Sequence, residues 1–197
     1  MEIIAHRINT LRELENLSPR YGVELDLRDS LDGRIYMQHN PFTPGEDFER
    51  YLAHYHHGTM ILNIKSERIE YQAMELLEKY SVKQYFFLDS TFPMIKALSD
   101  AGEQNIALRY SELEGMDTLE NMRGKVKWVW VDCFTHFPLD DDTYSKIRRL
   151  GYKICFVSPE LEGQPEKIQA YQAMMQKENI QLDAVCTDLA YANQWRR

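Results

Sequence analysis

The sequence predicts an α/β protein: a compact (β/α)8 TIM barrel formed by residues 1–197 as one domain. Three observations predict it. Short apolar runs rich in Val, Ile, Phe and Trp alternate with longer stretches of helical period, which is the order of a parallel sheet with crossover helices. There are eight such runs, a number that favours a closed barrel over an open doubly wound sheet. No low-complexity segment or Gly/Ser-rich joint divides the chain, and 197 residues suffice for one sizeable core but are short for two.

The strands are expected near Glu2–Ala5, Val23–Leu27, Met60–Lys65, Gln84–Leu88, Ile106–Arg109, Lys127–Asp132, Lys153–Val157 and Ala184–Thr187. Helices are expected near Thr10–Leu17, Asp47–His56, Glu67–Lys79, Pro93–Ala101, Asp117–Arg123, Asp140–Leu150 and Pro165–Glu178. The stretch Glu67–Lys79 carries Ile69, Ala73, Leu76 and Leu77 on one stripe, as a helix packed on a sheet should. An extra extended run, Arg34–Gln38, follows the turn Asp32-Gly33. His54, His56 and His57 fall at the end of a predicted helix before Gly58, where cations favour the helix dipole, so they are assigned to capping.

Composition narrows the function. With 23 basic and 31 acidic residues the net charge is −8, which repels a phosphate backbone, and no basic run offers nucleic acid a local patch. Runs such as Trp128-Val129-Trp130-Val131 fall far below the roughly 18 residues of a membrane span. Charges interrupt the first residues before any apolar region forms, and Cys133, Cys155 and Cys186 are odd in number and far apart. Buried free thiols in a cytoplasmic protein are the expectation.

In a barrel, chemistry collects where strands end. The ends here carry His6 and Arg7, then Glu24, Asp26 and Arg28, then Asn63 and Lys65. Later ends add Asp89 and Ser90, Arg109, Asp132, Ser158 and Glu160, and Thr187 and Asp188. Of these, Arg109, Asp132, Glu160 and Asp188 are further candidates to line a pocket. Glu24-Leu25-Asp26 puts two carboxylates on one face of a strand, since side chains alternate. Buried side by side they repel unless a cation lies between them. A hard divalent ion such as Mg²⁺ or Ca²⁺ resolves the conflict, and so does a salt bridge to Arg7, Arg28 or Lys65. Asn63 and Lys65 repeat the spacing and could supply a carbonyl ligand and an ammonium. His6 and His39 could move protons at such a site, or each could cap a loop.

These residues resemble a family. His6-Arg7, Asn9-Thr10, Gly22-Val23-Glu24-Leu25-Asp26, Asp32-Gly33-Arg34, His39-Asn40, Asn63-Ile64-Lys65 and Thr187-Asp188 stand in the order of the glycerophosphodiester phosphodiesterases. That family lies within the superfamily of phosphatidylinositol phospholipase C-like barrels. The likeness is dense over residues 3–65. It implies that His6 and His39 are the catalytic acid–base pair, that Glu24 and Asp26 are metal ligands, and that Arg7 and Lys65 hold the phosphate. The chain departs from the family at four places: Asn63 stands where a third ligand Glu is usual, Ile8 replaces a Gly, the Glu before Asn-Thr is missing because that loop is contracted, and the family's inserted region is reduced to about residues 40–46. The function implied is a metal-dependent phosphodiesterase cleaving a small phosphodiester. A non-catalytic barrel that binds a phosphorylated glycan or a protein partner is the alternative, followed by a metal-dependent lyase or aldolase.

Overall fold

A computed structural model describes residues 1–196, and their Cα packing forms two compact units, Ile4–Ala97 and the remainder. The chain begins with β1 (Glu2–Ala5), α1 (Leu11–Asn16), β2 (Gly22–Asp29), β3 (Ile35–Met37), β4 (Glu46–Asp47) and α2 (Phe48–Leu52). It continues with β5 (Met60–Ile64), α3 (Glu70–Lys79), β6 (Tyr85–Leu88), α4 (Phe92–Asp100), β7 (Ala107–Tyr110) and α5 (Asp117–Asn121). Last come β8 (Trp128–Val131), α6 (Asp141–Arg149), β9 (Lys153–Val157), α7 (Ile168–Lys177) and β10 (Ala184–Thr187). All eight expected strands form within two residues of their expected ends, alternating with the expected helices.

In the unit Ile4–Ala97 the end of β1 pairs in parallel with β2, β2 with β5, and β5 with β6. The extended run after Gly33 becomes β3, which turns back antiparallel on the end of β2, Leu27 facing Met37 and Asp29 facing Ile35. The two residues of β4 extend that hairpin. In the other unit β7, β8, β9 and β10 pair in parallel sequence, and the Glu2 N–H donates to the Asp183 carbonyl at 2.8 Å.

The two-residue period of β2 decides where its charges go. Val23, Leu25 and Leu27 are fully buried on one face, each contributing roughly 2 kcal/mol of hydrophobic burial. The same alternation forces Glu24 and Asp26 onto the opposite face, also out of water, at 1% and 0% exposure. A one-residue slip would exchange the two sets, so the leucines fix the register that buries the carboxylates.

Helix α2 stops at Leu52, short of the expected His56. His54 takes the expected capping role, its Nδ1 lying 3.0 Å from the Arg50 carbonyl. The rest of the run packs elsewhere: Tyr55 and His57 rings lie together, the Tyr55 hydroxyl donates to the Gly58 carbonyl, and His57 Nε2 lies 3.1 Å from the carbonyl of Leu17. Aromatic packing and carbonyls outside the helix outcompete continued helix. The three cysteines are buried free thiols, as expected. No described helix is long and apolar enough to cross a membrane.

Candidate active site at the ends of β1, β2 and β5

The site is built from the turn that leaves β1. Arg7 takes a left-handed conformation, φ 52°, which aims its N–H at Glu24 Oε2, 2.9 Å away. The next N–H, of Ile8, donates to the Glu24 carbonyl at 2.9 Å. Asn9 then grips Asp26 twice: its Oδ1 accepts from the Asp26 N–H at 2.8 Å, and its Nδ2 donates to Asp26 Oδ2 at 2.9 Å. Directly behind it Thr10 and Glu13 close a capping box at the start of α1. Glu46 of β4 accepts the Leu11 N–H at 2.7 Å.

Asn63 on β5 lies in register with Asp26 and donates its Nδ2 to Glu24 Oε1 at 2.9 Å. His6 Nε2 stands 3.9 Å from Glu24 Oε2. The Lys65 ammonium lies 3.7 Å from Asp26 Oδ1 and 3.4 Å from Asp89 Oδ2. Burial, then the neighbouring Asp26 charge, pushes the Glu24 carboxyl above its ordinary range, against His6, Asn63 and the Arg7 N–H, which favour the ionised form.

Two oxygens stay open. Asp26 Oδ1 and Asn63 Oδ1 are buried and have no hydrogen-bond partner among the described residues. Buried acceptors are nearly always hydrogen-bonded, so a carboxylate oxygen whose ammonium partner stands off at 3.7 Å and an amide oxygen with no hydrogen bond, beside a second carboxylate, form a set of hard oxygen donors suited to a closer cation. No three His, Cys, Asp or Glu side chains cluster as metal ligands among the described residues. An ion here would therefore draw on Glu24, Asp26 and the Asn63 amide oxygen.

His39 reaches this region through Arg28. The Arg28 guanidinium donates to the Gln38 carbonyl at 3.1 Å, to the Lys65 carbonyl at 3.1 Å and to the His39 carbonyl at 2.7 Å. It thus binds the segment after β3 to the ends of β2 and β5. The half-buried His39 ring lies 3.0 Å, Nδ1 to Oδ1, from Asn40 and makes no hydrogen bond to Glu24 or Asp26. The structure ties the His6, Glu24, Asp26, Asn63 and Lys65 side chains together directly, and Arg7 and His39 through their backbones. Arg28, one of the residues offered as an ion partner for the carboxylates, instead binds three carbonyls. Asn9 and Asp89 complete the group; Asn9 is foreshadowed only by its place in the Asn9-Thr10 motif.

The four further candidates belong to the other unit. Arg109 pairs with Asp132 at 2.5 Å, and the Trp130 indole donates to the second Asp132 oxygen at 2.9 Å. Burial pushes the Asp132 carboxyl up to about 6, against Arg109 and Trp130, which favour its ionised form. Glu160 accepts from Ser158, from Thr187 Oγ1 at 2.5 Å and from the Asp188 N–H at 3.1 Å. Ser158 in turn accepts from the Trp195 indole at 2.8 Å. Glu160 therefore fastens the end of β9 to the end of β10.

No family model matches the sequence, and no curated protein matches it. Solved structures do. The chain is similar to a glycerophosphoryl diester phosphodiesterase from Parabacteroides distasonis, with a TM-score of 0.70 at 12% identity over 98% of this chain and 85% of that one. It is also similar to a glycerophosphodiester phosphodiesterase from Agrobacterium tumefaciens, with a TM-score of 0.65 at 13% identity over 94% and 95% of the two chains. Likeness at such identity is likeness of fold. The chain has the α/β fold of these proteins, with the parallel strands and crossover helices the sequence predicts.

Proposed function

We propose that this chain is a metal-assisted phosphodiesterase acting on a small phosphodiester, of the glycerophosphodiester type or close to it. The observation that carries the reading is the pair of open buried oxygens on Asp26 and Asn63, beside Glu24 and within reach of a histidine and a lysine. The fold shared with two glycerophosphodiesterases supports it. Glu24, Asp26 and Asn63 would hold a divalent cation such as Mg²⁺ or Ca²⁺, which supplies positive charge to a non-bridging phosphoryl oxygen.

The remaining work falls to the chain's own residues. The exposed Arg7 side chain and the Lys65 ammonium bind the phosphate and balance charge that grows on its oxygens. His6, its Nε2 3.9 Å from Glu24, takes the proton from the attacking hydroxyl, of water or of the substrate itself. His39 gives a proton to the departing alcohol. The new P–O bond forms as the old one breaks, and one proton is taken up as another is released. Asn9 and Arg28 act through others, by holding Asp26 and the His39 backbone.

The test measures cleavage of glycerophosphodiesters with Mg²⁺ or Ca²⁺ by the wild type and by His6→Ala and His39→Ala. Each variant should lose about a hundredfold or more in turnover, the scale of a positioned acid or base, with a smaller loss in binding. A nitrophenolate leaving group, which needs no proton, should rescue His39→Ala and not His6→Ala. Variants as fast as the wild type would make the histidines structural. A wild type that binds phosphodiesters and turns over none would be a binding module.

A further inference from the structure

Beside the site, in the same unit, lies a cleft of about 640 Å³ between the turn 30–34 and the loop 41–45. This is the size of a small-molecule site. Arg28 and Ser66 line it, and Arg28 binds the His39 and Lys65 backbone carbonyls, so the cleft adjoins the candidate site across one side chain. Two large apolar side chains stand on its loops, Leu31 at 111% and Phe42 at 103% exposure. Exposed apolar residues are common singly, but here two face solvent on opposite lips of one cleft.

Both lips are braced. Gln72 donates to the Gly33 carbonyl at 2.8 Å, and Arg34 pairs with Asp32 at 2.7 Å and Asp47 at 3.7 Å. On the other side, Gln38 donates to the Pro44 carbonyl at 3.1 Å. A Cβ on Gly45 would meet the Met37 carbonyl oxygen at 2.2 Å, so only glycine closes the loop there. Phe42 follows Pro41 with φ 58°, the sense of a type II turn, where glycine is the usual residue. A phenylalanine there costs about 1 kcal/mol in backbone strain and gains no burial in return. The ring therefore stands in full solvent on the cleft's loop, where a ligand in the cleft can cover it.

We propose that this cleft receives the alcohol that leaves the phosphodiester, and that Leu31 and Phe42 make it select an alcohol carrying an aliphatic chain. The inference rests on the phosphodiesterase reading and adds the substrate class. Arg28 stands two residues beyond Asp26 on the same face of β2 and Ser66 follows Lys65, so this end of the cleft is next to the groups assigned to the phosphate, and Leu31 and Phe42 stand on the loops that line the rest of it. The net charge of −8 speaks against an anionic membrane surface as the occupant of the same lips.

The experiment uses a series of n-alkyl diesters of glycerol 3-phosphate, methyl to octyl, each below its micelle concentration. For the wild type, kcat/KM should rise about tenfold from methyl to octyl, since each partly covered methylene contributes a fraction of its burial free energy. In Leu31→Ser/Phe42→Gly the octyl-to-methyl ratio should fall to about 2. A flat wild-type series, or an unchanged ratio in the double variant, overturns the inference while leaving phosphodiesterase activity standing. If no diester is cleaved, the phosphodiesterase reading fails, and calorimetry with octyl and methyl phosphate decides the cleft. Tighter octyl binding by the wild type alone supports it, and equal binding overturns it. A flat series together with sedimentation on phosphatidylcholine vesicles that the double variant loses would assign the two tips to a membrane and also overturn it.

Discussion

Carboxylates near strand ends meet opposite fates in the two units, half-buried Glu160 in one and fully buried Asp26 in the other. At the ends of β9 and β10, Glu160 accepts from a serine, a threonine and a backbone N–H, and the serine is itself held by Trp195. On β2, Asp26 keeps one oxygen with no hydrogen bond, the Lys65 ammonium standing off at 3.7 Å, beside an Asn63 oxygen that also has none among the described residues. Both regions are polar, and both stand where a parallel strand meets its loop. Polarity at a strand end therefore does not mark a site. What sets Asp26 apart is unfilled acceptor capacity shared with a neighbouring amide oxygen and beside a second buried carboxylate.

The sharpest way to break this contrast is to remove Glu160. Glu160→Ala strands the donors of Ser158 and Thr187 in a buried setting, and stability should fall by about 3 kcal/mol, read from the denaturant midpoint. The divalent-cation response should stay as in the wild type. A loss of that response with little change in stability would make Glu160 part of the functional site.

The next effect concerns Asp132, which resembles Glu160 in being partnered but differs in its burial. Its folded pKa of about 6 lies above the ordinary value of 3.8, so the folded state favours the protonated acid. That contribution is complete below about pH 4 and disappears as pH rises through 6. Wild-type stability should drop over this window by roughly 2 kcal/mol relative to Asp132→Asn, in which the position cannot titrate. Parallel stability curves for the two proteins from pH 4 to 7 would show that Arg109 holds the carboxylate ionised throughout.

The smallest effect is the most diagnostic. Glu24→Gln removes a charge that repels Asp26, and its new amide can donate to the open Asn63 oxygen once Asn63 turns over. Without divalent ions the variant should be as stable as the wild type or about 1 kcal/mol more so. Ca²⁺ or Mg²⁺ should raise the melting temperature of the wild type and leave the variant unmoved. Asn63→Glu should enlarge the shift. A variant that unfolds would mean that Glu24 serves the fold as Glu160 does.

Much of this was readable from the chain. The eight strands announce themselves by apolar runs with β-branched and aromatic residues, and the facing of Glu24 and Asp26 follows from a period of two. What sequence hides is the destination of a hydrogen bond. Arg28 reads as a counter-ion for nearby carboxylates, yet its planar fork binds three carbonyls, one of them 37 residues away. The two-residue β4 has no periodicity to detect and exists because β3 offers it an edge. Glu160 reads as a polar strand end, and its partner Thr187 lies 27 residues further on. Such pairings are set by which strands lie side by side, and local pattern carries no record of that.

The double grip of Asn9 on Asp26 bears on the order of assembly. One half of it supplies the backbone partner that a further residue of β1 would have given the Asp26 amide, so a side chain prolongs the ladder past the point where the strand has turned away. The same residue abuts the capping box that nucleates α1. Nucleation of that first turn is the slow, unfavourable step of helix formation. The hydrogen bonds that orient the Asp26 carboxylate thus share a residue with the start of α1, and amide exchange at Asp26 should report the opening of that helix turn, although Asp26 lies in a strand.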